Sequence, residues 1–309
     1  MASGYRLPGF FIMGLIFFVR RKTIKDRLIC GVFGMAVNDH WRDGAAGSFL
    51  LIGGAEDKDG ECFILREFVR LAGGERAGIA VITTATRLPG EVGEVYRRVF
   101  LRLGAGEVWP VHLDSREKAG DPHHIAILQR ATGVFFTGGD QLRITRILGD
   151  TPFERSLKAN GSGRLIIGGT SAGAAAMGEI MITGGRGGYP PGRNAVKMAP
   201  GLGLLGGVVI DQHFAQRGRI GRLLAAVASH PHVLGIGIDE DTAIAVSPGG
   251  RFTVLGSGTV TVVDGRSITR TGAAGSLLGA TLHVLAPGYG YDLKARKPRL
   301  PEAPRSVSR

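Results

Sequence analysis

Ser171 sits at the centre of Gly169-Thr170-Ser171-Ala172-Gly173, which fits the G-x-S-x-G pattern of a nucleophile on a sharp turn. The chemistry requires that spacing. Small neighbours let a substrate carbonyl approach the serine Oγ, and the backbone N–H of the next residue, Ala172, points at the developing oxyanion. Short matches of this kind also arise by chance as plain tight turns. The context favours catalysis, because residues 165–167 are branched and apolar while 172–176 are small and Met177 is a good helix former. That order predicts strand, turn and helix, with the helix adding the positive end of its dipole.

A serine hydroxyl needs a base, and the base needs a third group to orient it. Of eight histidines, His213 alone follows a buried-strand pattern at its carboxyl end. His40 lies in the N-terminal segment, His123 and His124 at a helix start, His230 and His232 in a turn, and His112 and His283 in or beside strands. The run 235–241 supplies three candidate carboxylates, Asp239, Glu240 and Asp241, and alternation does not choose among them. Arg217, Arg219 and Arg222 follow His213 closely. They read either as a solvated helix face or as a guanidinium cluster for substrate carboxylates, which Arg grips in bidentate fashion.

These residues need a scaffold. Buried-strand patterns at 49–54, 79–82, 108–113 and 133–139 alternate with helical patterns at 61–71, 92–103 and 122–131, and further helix precedes the strand that delivers Ser171. Such alternation predicts a doubly wound, mostly parallel α/β sheet with its site at the carboxyl ends of the strands. Three glycine turns, at 53–54, 138–139 and 168–169, are expected to share that edge. Residues 184–207 are rich in Gly, Pro and Arg and read as a long loop. Beyond 233 the pattern is mostly strands, expected as an antiparallel extension of the same domain, with hairpin turns at 249–250 and 264–265.

The 309 residues are 44% hydrophobic, ample for a packed core. Cys30 and Cys62 cannot build a disulfide framework and suit a reducing, cytoplasmic setting. Neither has a metal-ligand partner at close spacing, so no metal or other cofactor is expected. The net charge of +12 resembles a nucleic-acid signal, but its placement argues against one. Residues 1–47 carry seven Lys/Arg against three Asp, and 294–309 carry six against Glu302, leaving +3 for everything between. The ends therefore read as solvated flanks. The apolar run 10–19 is too short to span a bilayer, and its basic cluster follows it rather than precedes it. Met35 is the more natural start. The expected organisation is an N-terminal extension at 1–47, a catalytic domain at 48–290 and a basic, Pro-rich tail at 291–309.

Taken together, residues 137–141, 168–174, 211–223 and 235–243 closely resemble the cyanophycinase family, which belongs with serine peptidases that include the α-aspartyl dipeptidase. The resemblance spans about 48–290. It implies a flavodoxin-like fold related to class I glutamine amidotransferases. It also implies a serine exopeptidase that degrades cyanophycin, an aspartate-backbone polymer bearing arginine on each β-carboxyl, to β-Asp-Arg dipeptides. Under it the triad is Ser171, His213 and Glu240, and the oxyanion donors are the N–H groups of Ala172 and Gly139. Gln141, Asp211, Gln212, Arg217, Arg219 and Arg222 match substrate-pocket positions, with Asp211 or another acid facing the substrate guanidinium. A homodimer is expected. The rival readings are an aspartyl or isoaspartyl dipeptidase and a non-catalytic binder of acidic polymers.

Overall fold

Alternation in the first strand sends Phe49 and Leu51 into one hydrophobic cluster and Leu50 and Ile52 into another. A strand buried on both faces must lie inside a layered α/β structure. A computed structural model describes residues 48–161, 165–185, 196–271 and 276–301, all within one compact unit. In chain order the first half comprises β1 (Ser48–Ile52), α1 (Phe63–Ala72), β2 (Gly78–Ile82), α2 (Pro89–Arg102), β3 (Glu107–Val111), α3 (Pro122–Arg130), β4 (Gly133–Phe136), α4 (Gln141–Leu148), α5 (Pro152–Gly161) and β5 (Ile166–Thr170). The second half begins with α6 (Ala172–Ala175), β6 (Gly178–Gly185), β7 (Val196–Pro200), β8 (Leu205–Gln212), α7 (Ile220–Ser229) and β9 (Leu234–Ile238). It continues with β10 (Thr242–Val246), β11 (Arg251–Gly256), β12 (Val260–Asp264), β13 (Thr269–Thr271), β14 (Ser276–Leu278), β15 (Thr281–Leu285), β16 (Gly290–Asp292) and β17 (Lys297–Arg299).

Local chemistry sets several helix ends. Asp121 and Asp140 cap α3 and α4 by accepting from His123 N and Leu142 N, each at 2.8 Å. Gly73 closes α1 in the left-handed region at φ 118°. The buried face of α1 sets Phe68 against Phe100 and Phe135, with ring centroids 5.5 and 5.2 Å apart.

The larger sheet runs β17-β16-β11-β10-β1-β5-β4-β2-β3, and β1 to β5 are parallel. The order β3-β2-β4-β5 follows the first four places of a flavodoxin-like sheet, with β1 in the fifth. Strands β10, β11, β16 and β17 extend it antiparallel. The fold is thus the expected α/β, flavodoxin-like one with an antiparallel extension.

Three expectations need correction. First, the single doubly wound sheet expected from the sequence is divided in two, and the strand that leads to His213 lies in the other sheet from the one that leads to Ser171. A second sheet runs β15-β12-β9-β8-β6-β7, with β6, β8 and β9 parallel. The two sheets share one hydrophobic cluster, in which Leu51 and Phe136 of the first accompany Ile210 and Ile236 of the second. Helix α7 covers the far side of the second sheet through Leu223 and Val227. Second, residues 196–200 of the expected long loop form β7, and β16 and β17 carry the larger sheet past residue 291, where the tail was placed. Backbone pairing at or next to a sheet edge holds these segments despite their Gly, Pro and Lys content. Third, Asp264-Gly265 is not a hairpin turn, because β12 pairs with β9 and β15 while β13 pairs with β14. Asp264 instead accepts from Arg266 Nε (3.0 Å) and Arg296 Nη1 (2.9 Å). The readings on 1–47, on the middle of the loop at 186–195 and on 302–309 lie outside the described residues.

Candidate active site

Ser171 follows β5 at φ 51° and ψ −111°, a strained conformation for a residue with a Cβ. Its neighbours make the turn possible. A Cβ on Gly169 would lie 2.7 Å from the Gly173 carbonyl carbon, and one on Gly173 would lie 2.8 Å from that of Phe136. The Ser171 N–H donates to Ile52 O of the adjacent strand (3.0 Å). The helix that follows, α6, is a single turn before the chain re-enters a strand, rather than the longer helix that 172–177 suggested. Its macrodipole is correspondingly small. The groups at hand for an oxyanion are individual backbone donors. Among the described residues, neither Ala172 N nor Gly139 N has a hydrogen-bond partner. Gly139 holds φ 143°, and a Cβ there would lie 2.9 Å from Thr86 N.

His213 follows β8, also at positive φ (47°). Its N–H donates to Gly53 O (2.8 Å), so the end of β1 meets the end of β8 at this point. The imidazole lies over Gly54, where a Cβ would stand 2.6 Å from Nε2. His213 Nε2 is 2.9 Å from Ser171 Oγ, and Nδ1 is 2.6 Å from Glu240 Oε1. With Nδ1–H donating to the carboxylate, Nε2 is left to accept the serine proton. Burial, the largest influence, holds the imidazole below its usual pKa, and the Arg217 and Arg219 charges push the same way. Glu240 opposes them through its hydrogen bond and its charge. The arrangement can therefore present a neutral base to a serine hydroxyl at neutral pH.

The three adjacent carboxylates have different partners. Asp239 is buried and accepts from Ala215 N (3.0 Å), Thr259 N (3.0 Å) and Thr259 Oγ1 (2.8 Å). Asp241 accepts from Asp57 N (3.2 Å) and Ser257 Oγ (2.9 Å). Glu240 alone reaches His213, and its backbone N–H donates to Gln216 Oε1 (3.0 Å).

The expected pocket residues fall into two groups. Asp211 is fully buried and accepts from Arg219 Nη1 (3.1 Å), from Arg222 Nε (2.6 Å) and from Arg222 Nη2. It is therefore saturated and has no surface to offer a substrate guanidinium, which corrects that expectation. Arg219 also donates to Gln212 O, and burial brings its pKa down to about 10. Arg222 spends its bidentate fork on Asp211, so Arg219 and Arg222 are neither solvated nor wholly free. Arg217 is exposed, with its N–H on His213 O (3.1 Å). Gln141 opens α4 and donates Nε2 to Ile182 O (2.9 Å). Two residues at the site had no signal in the sequence: Gln216, and Glu56, whose buried carboxylate accepts from Thr170 Oγ1 (2.6 Å). Isolated polar residues in loops carry no periodicity by which to find them.

Residues 49–254 match the family model of peptidase family S51. A cyanophycinase from Trichormus variabilis is 45% identical over 255 residues, covering 80% of this chain and 86% of that protein. One from Geminocystis herdmanii is 42% identical over 259 residues, covering 81% and 95%. One from Synechococcus elongatus is 41% identical over 266 residues, covering 84% and 83%. The crystal structure of a peptidase from an acI-B1 Actinobacterium superposes with TM-score 0.59 at 22% identity, covering 82% of this chain and 99% of that one, a likeness of fold. No helix among the described residues is long and apolar enough to cross a membrane. The chain belongs to peptidase family S51, as a cyanophycinase-like serine peptidase.

Proposed function

We propose that this chain is an exopeptidase that hydrolyses cyanophycin to β-Asp-Arg dipeptides through an acyl-enzyme on Ser171. The observation that carries the reading is the continuous chain from Ser171 Oγ through His213 to Glu240, at 2.9 and 2.6 Å. His213 takes the Ser171 proton as Oγ attacks a backbone carbonyl of the polymer. The oxyanion is held by the N–H groups of Ala172 and Gly139. Glu240 orients the imidazole and stabilises its cationic form. His213 then protonates the leaving amine, and water, activated by the same base, releases the acyl group. No step requires a metal.

Substrate choice falls to the polar groups around His213. Each arginine of the polymer keeps a free α-carboxylate, which suits the guanidinium donors of Arg217, Arg219 and Arg222 that Asp211 does not occupy. Gln141 and Gln212 complete the pocket. Asp211 acts indirectly, by fixing the two buried forks. The enzyme works as a cytoplasmic homodimer.

The test is incubation with insoluble cyanophycin, followed by mass analysis of the soluble products. Release of β-Asp-Arg is expected. Turnover of short aspartyl or isoaspartyl peptides alone would move the assignment to a dipeptidase. Binding of the polymer without turnover of any peptide would make the chain a binder of acidic polymers.

A further inference from the structure

We propose that Glu56 is a positioning residue for Ser171, acting through the Thr170 hydroxyl to hold the strained nucleophile turn. The inference rests on the reading of Ser171 as nucleophile. Glu56 lies three residues beyond Gly53, in the loop after β1, and its side chain is almost fully buried. Each carboxylate oxygen is engaged. Oε2 accepts from Thr170 Oγ1 at 2.6 Å. Oε1 accepts from the Tyr96 hydroxyl and lies 2.9 Å from Lys58 Nζ. Tyr96 is itself buried, and Lys58 Nζ stands 5.3 Å from its ring centroid. A buried carboxylate is costly unless it is paired and fully hydrogen-bonded, and this one is.

The consequence falls on the residue next in the chain. Thr170 pairs with Ile52 across the β1–β5 ladder and immediately precedes Ser171. A backbone at φ 51° and ψ −111° persists only where surrounding bonds over-determine it. Here the bonds are Ser171 N to Ile52 O, Ala175 N to Ser171 O, and Thr170 Oγ1 to Glu56. The last is the only one of the three made by side chains. It is also the charge-assisted one, hence the strongest of its kind.

The test compares Thr170→Val, Thr170→Ser and Glu56→Gln with the wild type. Steady-state hydrolysis of cyanophycin is measured beside the rate at which a small phosphonylating reagent labels Ser171. Thr170→Val keeps the shape of the side chain and removes the donor, leaving Glu56 its Tyr96 and Lys58 partners. Small displacements of a reacting group cost up to about 100-fold, so Thr170→Val and Glu56→Gln should lose about 10- to 100-fold in both kcat and labelling rate, with KM unchanged, while Thr170→Ser stays within about threefold of wild type. A purely structural bond would lower Tm without moving the labelling rate. Wild-type labelling and kcat in folded Thr170→Val would overturn the proposal, even should Glu56→Gln fail to fold. A wild type that does not label at Ser171 at all would refute the nucleophile reading, and this proposal with it.

Discussion

Asp211→Asn is the most informative single perturbation, because one carboxylate holds two guanidiniums with no solvent access. The amide keeps the shape, removes the charge and replaces one acceptor oxygen by a donor facing Arg219 or Arg222. Breaking a buried ion pair by removing one partner costs about 3–5 kcal/mol, since the other charge is left uncompensated. For a unit of this size each kcal/mol shifts Tm by about 2–4 °C, which gives a fall of about 6–20 °C. Replacing all three together by apolar residues of similar volume, Asp211→Leu with Arg219→Met and Arg222→Met, should recover much of that loss while abolishing substrate grip. Activity separates the two roles. With the forks released, KM for cyanophycin should rise, while Ser171 remains open to a phosphonylating reagent. The positive potential at His213 also grows, so the acid limb of kcat/KM should move to lower pH. Scanning calorimetry and a pH–rate profile report all three effects. A Tm within about 2 °C of wild type would mean that the arginines are satisfied without Asp211, and would refute the reasoning from burial.

The other predictions concern the serine and its base. Ser171→Ala should cost about 10⁴-fold or more in kcat with Tm nearly unchanged; more than a tenth of wild-type activity would exclude Ser171 as nucleophile. His213 is held below its ordinary pKa, so the acid limb of kcat/KM should lie below about 6.5. The linked stability has a definite sign: the unfolded chain takes up the proton first as pH falls, so the contribution is complete above about 6.5 and lost as pH drops through the folded pKa. In Glu240→Gln the influence that raises the pKa is gone, so the limb should shift further to acid while kcat falls steeply; an alkaline shift would contradict this. Gly54→Ala places a methyl where the imidazole lies and should lower kcat by about 100-fold at little cost in KM, measured by steady-state kinetics. Near-wild-type kcat would show that the ring can move without consequence.

How much of this was legible in the sequence depended on whether the signal was local. Ser171 was legible because the demand for small residues at 169 and 173 is a short-range steric requirement, written directly as glycine. His213 was legible because a buried strand running into a polar residue marks a strand end. The choice of Glu240 was not legible in the local pattern and came only with the resemblance to the cyanophycinase family. Asp239 and Asp241 are engaged by donors from Ala215, Thr259, Asp57 and Ser257, while Glu240 meets His213, and all of these partners lie far away in the chain. The second sheet was hidden for the same reason: periodicity in 205–212 says strand, but not which strand it pairs with. The helix was expected to run on past Ala175 because local propensity cannot see that the Ala176 and Met177 carbonyls are taken by Leu202 N and Leu205 N.

The seam between the sheets explains how such a division can still give a fixed site. Consecutive carbonyls at the end of β1, on Ile52 and Gly53, accept from the backbone N–H groups of Ser171 and His213. The next, on Gly54, accepts from Asp241 N beside Glu240 (2.9 Å). Neighbouring Cα atoms are about 3.8 Å apart, so three successive peptide units of one strand end set the spacing of the Ser171, His213 and Glu240 loops. The glycine pair that marked this turn in the sequence is required for two distinct contacts. A Cβ on Gly53 would lie 2.8 Å from the Asp239 carbonyl carbon, and one on Gly54 would occupy the place of the imidazole. The segment 52–54 contributes no reacting atom, yet it touches all three loops on which the proposed chemistry depends.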